Sequence, residues 1–185
     1  MTRKMFVLIA LLLVCQFAFA QQATEPVTTV FLVRHAERAD EPRQDPPLTE
    51  KGVLRSQLLA QLLGIAGIKA IFTSQFQRTK QTAEPLAKKL GLTPTAISLK
   101  SNPSNPRLIA EESTAETVNQ ILQHAGGSVL VIGHSNSIPD VIKMLGGDPV
   151  PVIDEQKFDD LFIVTVYAKG KAKVTRLKYG VVPSE

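Results

Sequence analysis

Thr28-Thr29-Val30-Phe31-Leu32-Val33, followed at once by Arg34-His35-Ala36-Glu37, is the stretch on which the architecture turns. Its first six residues are all β-branched or apolar, too short a run for a helix, and read as a strand buried on both faces. The polar quartet then falls at the carboxyl end of that strand. The pattern recurs twice. Residues 68–73 (IKAIFT) lead to Ser74 and, one turn on, Arg78 and Thr79; residues 128–132 (SVLVI) lead to Gly133-His134-Ser135-Asn136. Helical periodicity fills the spaces between. Thr49 offers an N-cap to a helix with leucines at 54, 58, 59, 62 and 63, all expected in the core, up to Gly64. A second helix is expected over 78–90, stopped by Gly91 and kinked or shifted by Pro85. A third runs over 113–124 to Gly126-Gly127, and a short one over 139–145. Residues 95–99 are a weaker strand, 36–47 a loop and 101–106 (SNPSNP) another. Residues 161–167 and 173–179 read as two strands around a turn at Lys169-Gly170, with a bulge. Strands alternating with helices predict an α/β fold: a three-layer αβα sandwich with a mostly parallel central sheet and C-terminal antiparallel edge strands.

Composition narrows the class. The chain has 185 residues, 44% hydrophobic and 21% charged, with one Cys and no Trp, which excludes a disordered or collagen-like chain, a disulfide framework and a zinc ribbon. Arg3 and Lys4 precede an apolar run over 5–20 that ends in Ala18-Phe19-Ala20. This is the layout of a secretory signal peptide. The run is shorter than the ~20 residues of a membrane span and contains Gln16, so a retained anchor is the weaker alternative. A lipid on Cys15 is disfavoured by the bulky Val14 before it. The expected organisation is a signal peptide over 1–20 and a single domain over 21–185, periplasmic or secreted, with no stable membrane anchor after cleavage. Cleavage removes two basic residues and no acid, taking the formal charge from +4 to +2. It also removes the only thiol, which suits an oxidising compartment. So small a charge, with no Trp and two Tyr, excludes a nucleic-acid partner.

In an open α/β sheet, ligands bind beyond the carboxyl ends of the strands. Arg34, His35, Arg78 and His134, with Ser74 and neighbouring hydroxyls, are all delivered to that edge. Any one of them alone would be an ordinary solvated or structural residue; three strand ends acting together describe an anion trap. Arginine donates in a planar fork that matches phosphate oxygens, and the helix N-termini after Ser74 and Asn136 add backbone N–H groups. A zinc site on His35 and His134 lacks a third ligand and would be repelled by Arg34 and Arg78, so no metal is expected. No P-loop, Gly-rich dinucleotide fingerprint or G-x-S-x-G elbow is present. His124, beside Gly126-Gly127, is expected to cap its helix, and Lys88-Lys89 to be a solvated face.

Arg34-His35-Ala36-Glu37, Leu48-Thr49-x-x-Gly52, Thr73-Ser74-x-x-x-Arg78-Thr79 with Gln81-Thr82-Ala83, and Gly133-His134-Ser135-Asn136 together resemble the histidine phosphatase superfamily, in its phosphoglycerate-mutase-like branch and its compact phosphohistidine-phosphatase-like members. The resemblance spans 30–166. It implies that His35 is the nucleophile and that Arg34, Arg78 and His134 hold the phosphoryl group. It also implies a Glu, from the segment after the third strand, that protonates the leaving oxygen. That segment is here a Pro/Asn loop, which leaves Glu111, Glu112, Glu37, Asp40 and Asp154 as candidates. Neither a metal nor an organic cofactor is implied, the arginines supplying the positive charge. The residues agree with this chemistry: Arg34 disfavours an imidazolium at His35, and a backbone carbonyl at one ring nitrogen would fix the tautomer. The expected function is an exported, metal-independent phosphatase that hydrolyses phosphomonoesters, on a phosphorylated small molecule or phosphoprotein, through a phosphohistidine on His35. The alternatives are a catalytically inactive phosphate-binding or scaffold module, for which an intact nucleophile is superfluous, and a phosphomutase, which needs a closed pocket. The 36–47 loop and the acidic 154–160 segment are the expected pocket walls.

Overall fold

The computed structural model describes residues 26–180, so the expected signal segment lies outside the described residues. The elements run β1 (Thr28–Arg34), α1 (Glu50–Leu63), β2 (Ile68–Ser74), α2 (Gln77–Leu90), β3 (Thr95–Ile97), β4 (Ser101–Asn102), β5 (Asn105–Ile109), α3 (Glu111–Leu122), β6 (Ser128–Gly133), α4 (Ser137–Met144), β7 (Asp160–Ala168) and β8 (Lys171–Lys178). Among the described residues, six strands form one sheet in the order β3-β2-β6-β1-β7-β8. The β3-β2-β6-β1 part is parallel; β7 and β8 close it as an antiparallel edge. A register shift between Val166 and Ala168 supplies the expected bulge.

Period-two alternation divides the apolar side chains between two cores. Val30, Leu32, Val129, Val131 and Phe72 face α3 and α4, packing with Val118, Ile121, Ile138 and Ile142. Val33, Leu130, Ile132 and Ile71 face α1 and α2, packing with Leu59, Leu63, Ala83 and Leu86. The three-layer sandwich follows, since a sheet apolar on both faces needs helices on both.

Four local expectations are corrected. Pro85 neither interrupts α2 nor shifts its start past the residue itself: Gln77 to Leu90 is one 14-residue helix. Its ring forfeits one backbone hydrogen bond, while Ala83, Leu86 and Ala87 around it are buried in the α1-side core and hold the helix in place. The SNPSNP segment is a small hairpin, β4 with β5. The Asn102 side chain accepts from the N–H groups of Ser104 at 2.9 Å and Asn105 at 3.3 Å, an Asx turn that reverses the chain. The leucine stripe of α1 is only half core: Leu59 and Leu63 are buried, whereas Leu54 and Leu62 are exposed. Steps of 100° per residue put 54, 58 and 62 along the flank and 59 and 63 on the sheet side. Finally, α3 ends at Leu122 with Gln123 as its cap. His124 lies in the turn beyond, its ring 5.8 Å from that of Phe72.

The start of α1 ties the strand-end loop down. Thr49 caps the helix through the N–H of Gly52 at 3.1 Å and donates its own N–H to the Glu37 carbonyl at 2.9 Å. A Cβ on Gly52 would come within 2.1 Å of that carbonyl oxygen. Alanine ordinarily favours a helix over glycine by ~1 kcal/mol; here the contact reverses the sign. Gly52→Ala is expected to lose about 1–3 kcal/mol of stability by overpacking, measured as a lower Tm. A Tm at or above that of the wild type would show that the loop yields freely and that the close approach positions nothing.

Candidate active site

Parallel pairing levels the three strand ends. Arg34 is in register with Gly133 across β1 and β6, and Thr73 with Ile132 across β2 and β6. The residues that follow therefore emerge side by side. Arg34, His35, Arg78 and His134 line one hollow, together with Arg38, Phe76 and Glu155.

His35 is buried at 3% exposure, its N–H bonded to the Gly133 carbonyl at 3.0 Å. Its Nδ1 lies 2.8 Å from the Ala36 carbonyl oxygen. A carbonyl only accepts, so Nδ1 carries the proton and Nε2 is left with its lone pair. Burial lowers its pKa to about 4; the Ala36 carbonyl opposes this, and the charges of Arg34, Arg78 and Arg38 add smaller contributions in the same direction as burial. The ring is thus neutral near pH 7. The His134 ring stands edge-on to it with centroids 5.3 Å apart, and its Nε2 is 2.9 Å from Ser74 Oγ. Burial, then His35 and the arginines, bring the His134 pKa down to about 3. His134 accordingly offers a hydrogen bond rather than a positive charge in the free protein.

The two arginines are held differently. Arg34, 2% exposed, spends Nη1 on the carbonyls of Asp154 at 3.0 Å and Lys157 at 3.2 Å. Its Nη2 meets Glu155 Oε2 at 2.6 Å, and Phe158 stacks 4.4 Å from its guanidinium. Arg78, at the start of α2, stacks 4.2 Å over Phe76 and is 3.9 Å from Asp45. The buried Nε atoms of both arginines lack a protein hydrogen-bond partner. Burial lowers the pKa of each guanidinium, and Arg38 adds repulsion to both. Two crowded, desolvated cations with donors to spare make an anion the natural guest.

A layer of hydroxyls sets these groups. Thr82 Oγ1 accepts the Ala36 N–H at 3.0 Å and donates to the Arg78 carbonyl at 2.7 Å, linking the loop after His35 to the helix that carries Arg78. Ser74 Oγ is 2.9 Å from Thr79 Oγ1, and Gln81 accepts the Leu48 N–H at 2.7 Å. These contacts account for the Ser74, Thr79, Gln81 and Thr82 pattern noted in the sequence.

The candidate acids fare differently. Glu37 faces away, gripped by Arg55 through two 2.8 Å hydrogen bonds; burial pushes its carboxyl up, but Arg55 outweighs this and holds it below the usual carboxylate range. Glu111 and Glu112 begin α3 and line other depressions, and Asp40 is exposed on its loop. Asp154 gives Arg34 its carbonyl, while its carboxylate accepts from the Gln156 N–H at 2.9 Å. None of the five lines the hollow; the carboxylate that does is Glu155, bonded to Arg34 and to Ser135 Oγ. Both expected walls are present, the 36–47 loop through Arg38, Arg43 and Pro46 and the acidic segment through Glu155. Glu155, Phe158 and Phe76 were not singled out by sequence reading; the acidity of the 154–160 stretch was the only signal for the first. Among the described residues, no cluster of three His, Cys, Asp or Glu side chains is placed to hold a metal ion.

Residues 30–99 match the histidine phosphatase superfamily (branch 1). Over 70 residues the chain is 41% identical to the probable phosphoglycerate mutase GpmB of Yersinia pestis (strain Pestoides F), a stretch covering 35% of this chain and 33% of that protein. The chain thus spans about one third of the length of the curated relatives it matches. Among solved structures it is similar to the protein histidine phosphatase SixA complexed with tungstate, with a TM-score of 0.62 at 23% identity over 81% of this chain and 96% of that one. It is also similar to a phosphoglycerate mutase from Bacillus anthracis str. Sterne, with a TM-score of 0.64 at 17% identity over 85% and 95%. At these identities the two structures share the fold.

Proposed function

We propose that this chain, whose residues 30–99 match the histidine phosphatase superfamily and which shares the fold of the SixA structure, hydrolyses phosphomonoesters through a phosphohistidine on His35. The observation that carries this reading is the buried, neutral His35, its tautomer set by Ala36 and its ring beside two desolvated arginines. Attack by Nε2 on phosphorus forms the N–P bond as the ester oxygen departs. Arg34 and Arg78 offset charge on the equatorial oxygens, and the neutral His134 adds a hydrogen bond. Water then releases phosphate and restores the imidazole. The fixed guanidinium groups provide the electrostatics, so no metal or cofactor enters the reaction. The tungstate in the SixA structure, a tetrahedral oxyanion, supports a phosphate-sized guest here. The substrate is a phosphorylated small molecule or a phosphoprotein. The exported setting rests on residues 1–20 alone.

A panel of phosphomonoesters assayed for inorganic phosphate in the presence of a chelator tests this reading. Release at the same rate with and without chelator is the expected outcome. Loss of activity on chelation would overturn the metal-independent mechanism. Transfer to an added alcohol in preference to water would make the protein a mutase, and tight phosphate binding without turnover a binding module.

A further inference from the structure

An alcohol leaving phosphorus needs a proton, and none of the carboxylates suggested by the sequence reaches the hollow. We infer that Glu155 is the leaving-group acid, an assignment that rests on the phosphatase reading of the site. In-line displacement puts the departing oxygen opposite the nucleophile. The nucleophile is at the floor: His35 and Arg34 are 3% and 2% exposed. The departing oxygen therefore faces the mouth. Glu155 is at the mouth, its side chain 68% exposed, yet its carboxylate reaches inward to Arg34 at 2.6 Å and to Ser135.

The backbone on either side of Glu155 is pinned. Arg34 Nη1 holds the carbonyls of Asp154 and Lys157, and the Ile153 N–H donates to the Ser135 carbonyl at 3.2 Å. A bound phosphoryl group competes with the carboxylate for Arg34, and the Glu155 side chain can swing aside by rotation about its own bonds without displacing the segment. Displaced from Arg34, the carboxylate takes up a proton from solvent at the mouth, on the side from which the departing oxygen leaves. In the first step the His35 Nε2–P bond forms, the P–O bond to the leaving group breaks, and the Glu155 proton passes to that oxygen to give the alcohol. In the second, the Glu155 carboxylate takes a proton from the attacking water as the N–P bond breaks, which returns phosphate, neutral His35 and protonated Glu155.

The test is the dependence of kcat/KM on the leaving group, because this constant reports transfer to His35 and is blind to the later release of phosphate. 2,4-Dinitrophenolate departs with little need of a proton, whereas phenolate needs one. In Glu155→Gln, the ratio of kcat/KM on 2,4-dinitrophenyl phosphate to that on phenyl phosphate is expected to rise on the order of 10² over the wild-type ratio, the scale of a lost general acid. An unchanged ratio would overturn the assignment. Tighter inhibition by inorganic phosphate with an unchanged ratio would likewise overturn it and reduce Glu155 to a competitor for Arg34. A wild-type protein inactive on both esters would instead overturn the phosphatase reading, and this assignment with it.

Discussion

His35→Ala is expected to lower turnover roughly 10⁴-fold or more, the scale seen when a covalent nucleophile is removed from a site that otherwise keeps its binding groups. The fold should survive. Substitution leaves the backbone bond from the His35 N–H to the Gly133 carbonyl in place, and the side chain removed bonds only to the adjacent Ala36 carbonyl. Brief incubation of wild-type protein with a phosphoryl-labelled ester should leave acid-labile, alkali-stable label on the protein, and the variant should carry none. Both readouts follow from one physical fact: a neutral ring with its Nε2 lone pair free is the group in the hollow best prepared to attack phosphorus. Turnover within tenfold of wild type, with label retained, would place the nucleophile elsewhere.

Arg34→Ala is expected to cost on the order of 10³ in kcat/KM, the upper end of what one preorganised donor contributes, together with measurable stability. Arg34 has two duties. It lines the hollow beside His35, where the proposed reaction needs a donor to the phosphoryl oxygens, and it fastens the 154–158 segment through two carbonyls, the Glu155 carboxylate and the face of Phe158. Removing the guanidinium leaves those carbonyls short of a donor, at about 1–3 kcal/mol for each one that water cannot reach. Arg34→Lys separates the duties: it keeps a charge but not the planar fork, so it is expected to recover only part of the rate. Rate and Tm are the measurements. A Tm loss accompanied by less than a tenfold change in kcat/KM would make Arg34 a clamp with no contact to substrate.

Residue by residue, the legible parts of this protein are those encoded over a few neighbours. TTVFLV, IKAIFT and SVLVI declare themselves as buried strands because runs of five or six residues, nearly all apolar or β-branched, suit a strand covered on both faces. Each strand's next residues then have to emerge at the carboxyl edge, so Arg34, His35 and His134 converge without any knowledge of side-chain packing. SNPSNP was misread for a related reason. Two prolines and two asparagines advertise a turn, and the structure contains one, but the short pairing of Ser101 with Ile109 around it depends on a strand outside that window. The helix runs through Pro85 because helix propensity is a local cost, whereas the packing of Ala83 and Leu86 that offsets it is not.

From its sequence alone, this protein's αβα layering, the shared edge of its three motif-bearing strands and the convergence of Arg34, His35 and His134 on that edge were determined, since strand periodicity and strand polarity act within the span of one element. The protonation state of His35, the neutrality of His134 and the placing of Glu155, rather than any of five other carboxylates, in the hollow were decided only in three dimensions. Desolvation exists only once both sheet faces are covered. The bond between Arg34 and Glu155 joins residues 121 positions apart, a separation at which nothing local distinguishes one acidic side chain from its neighbour.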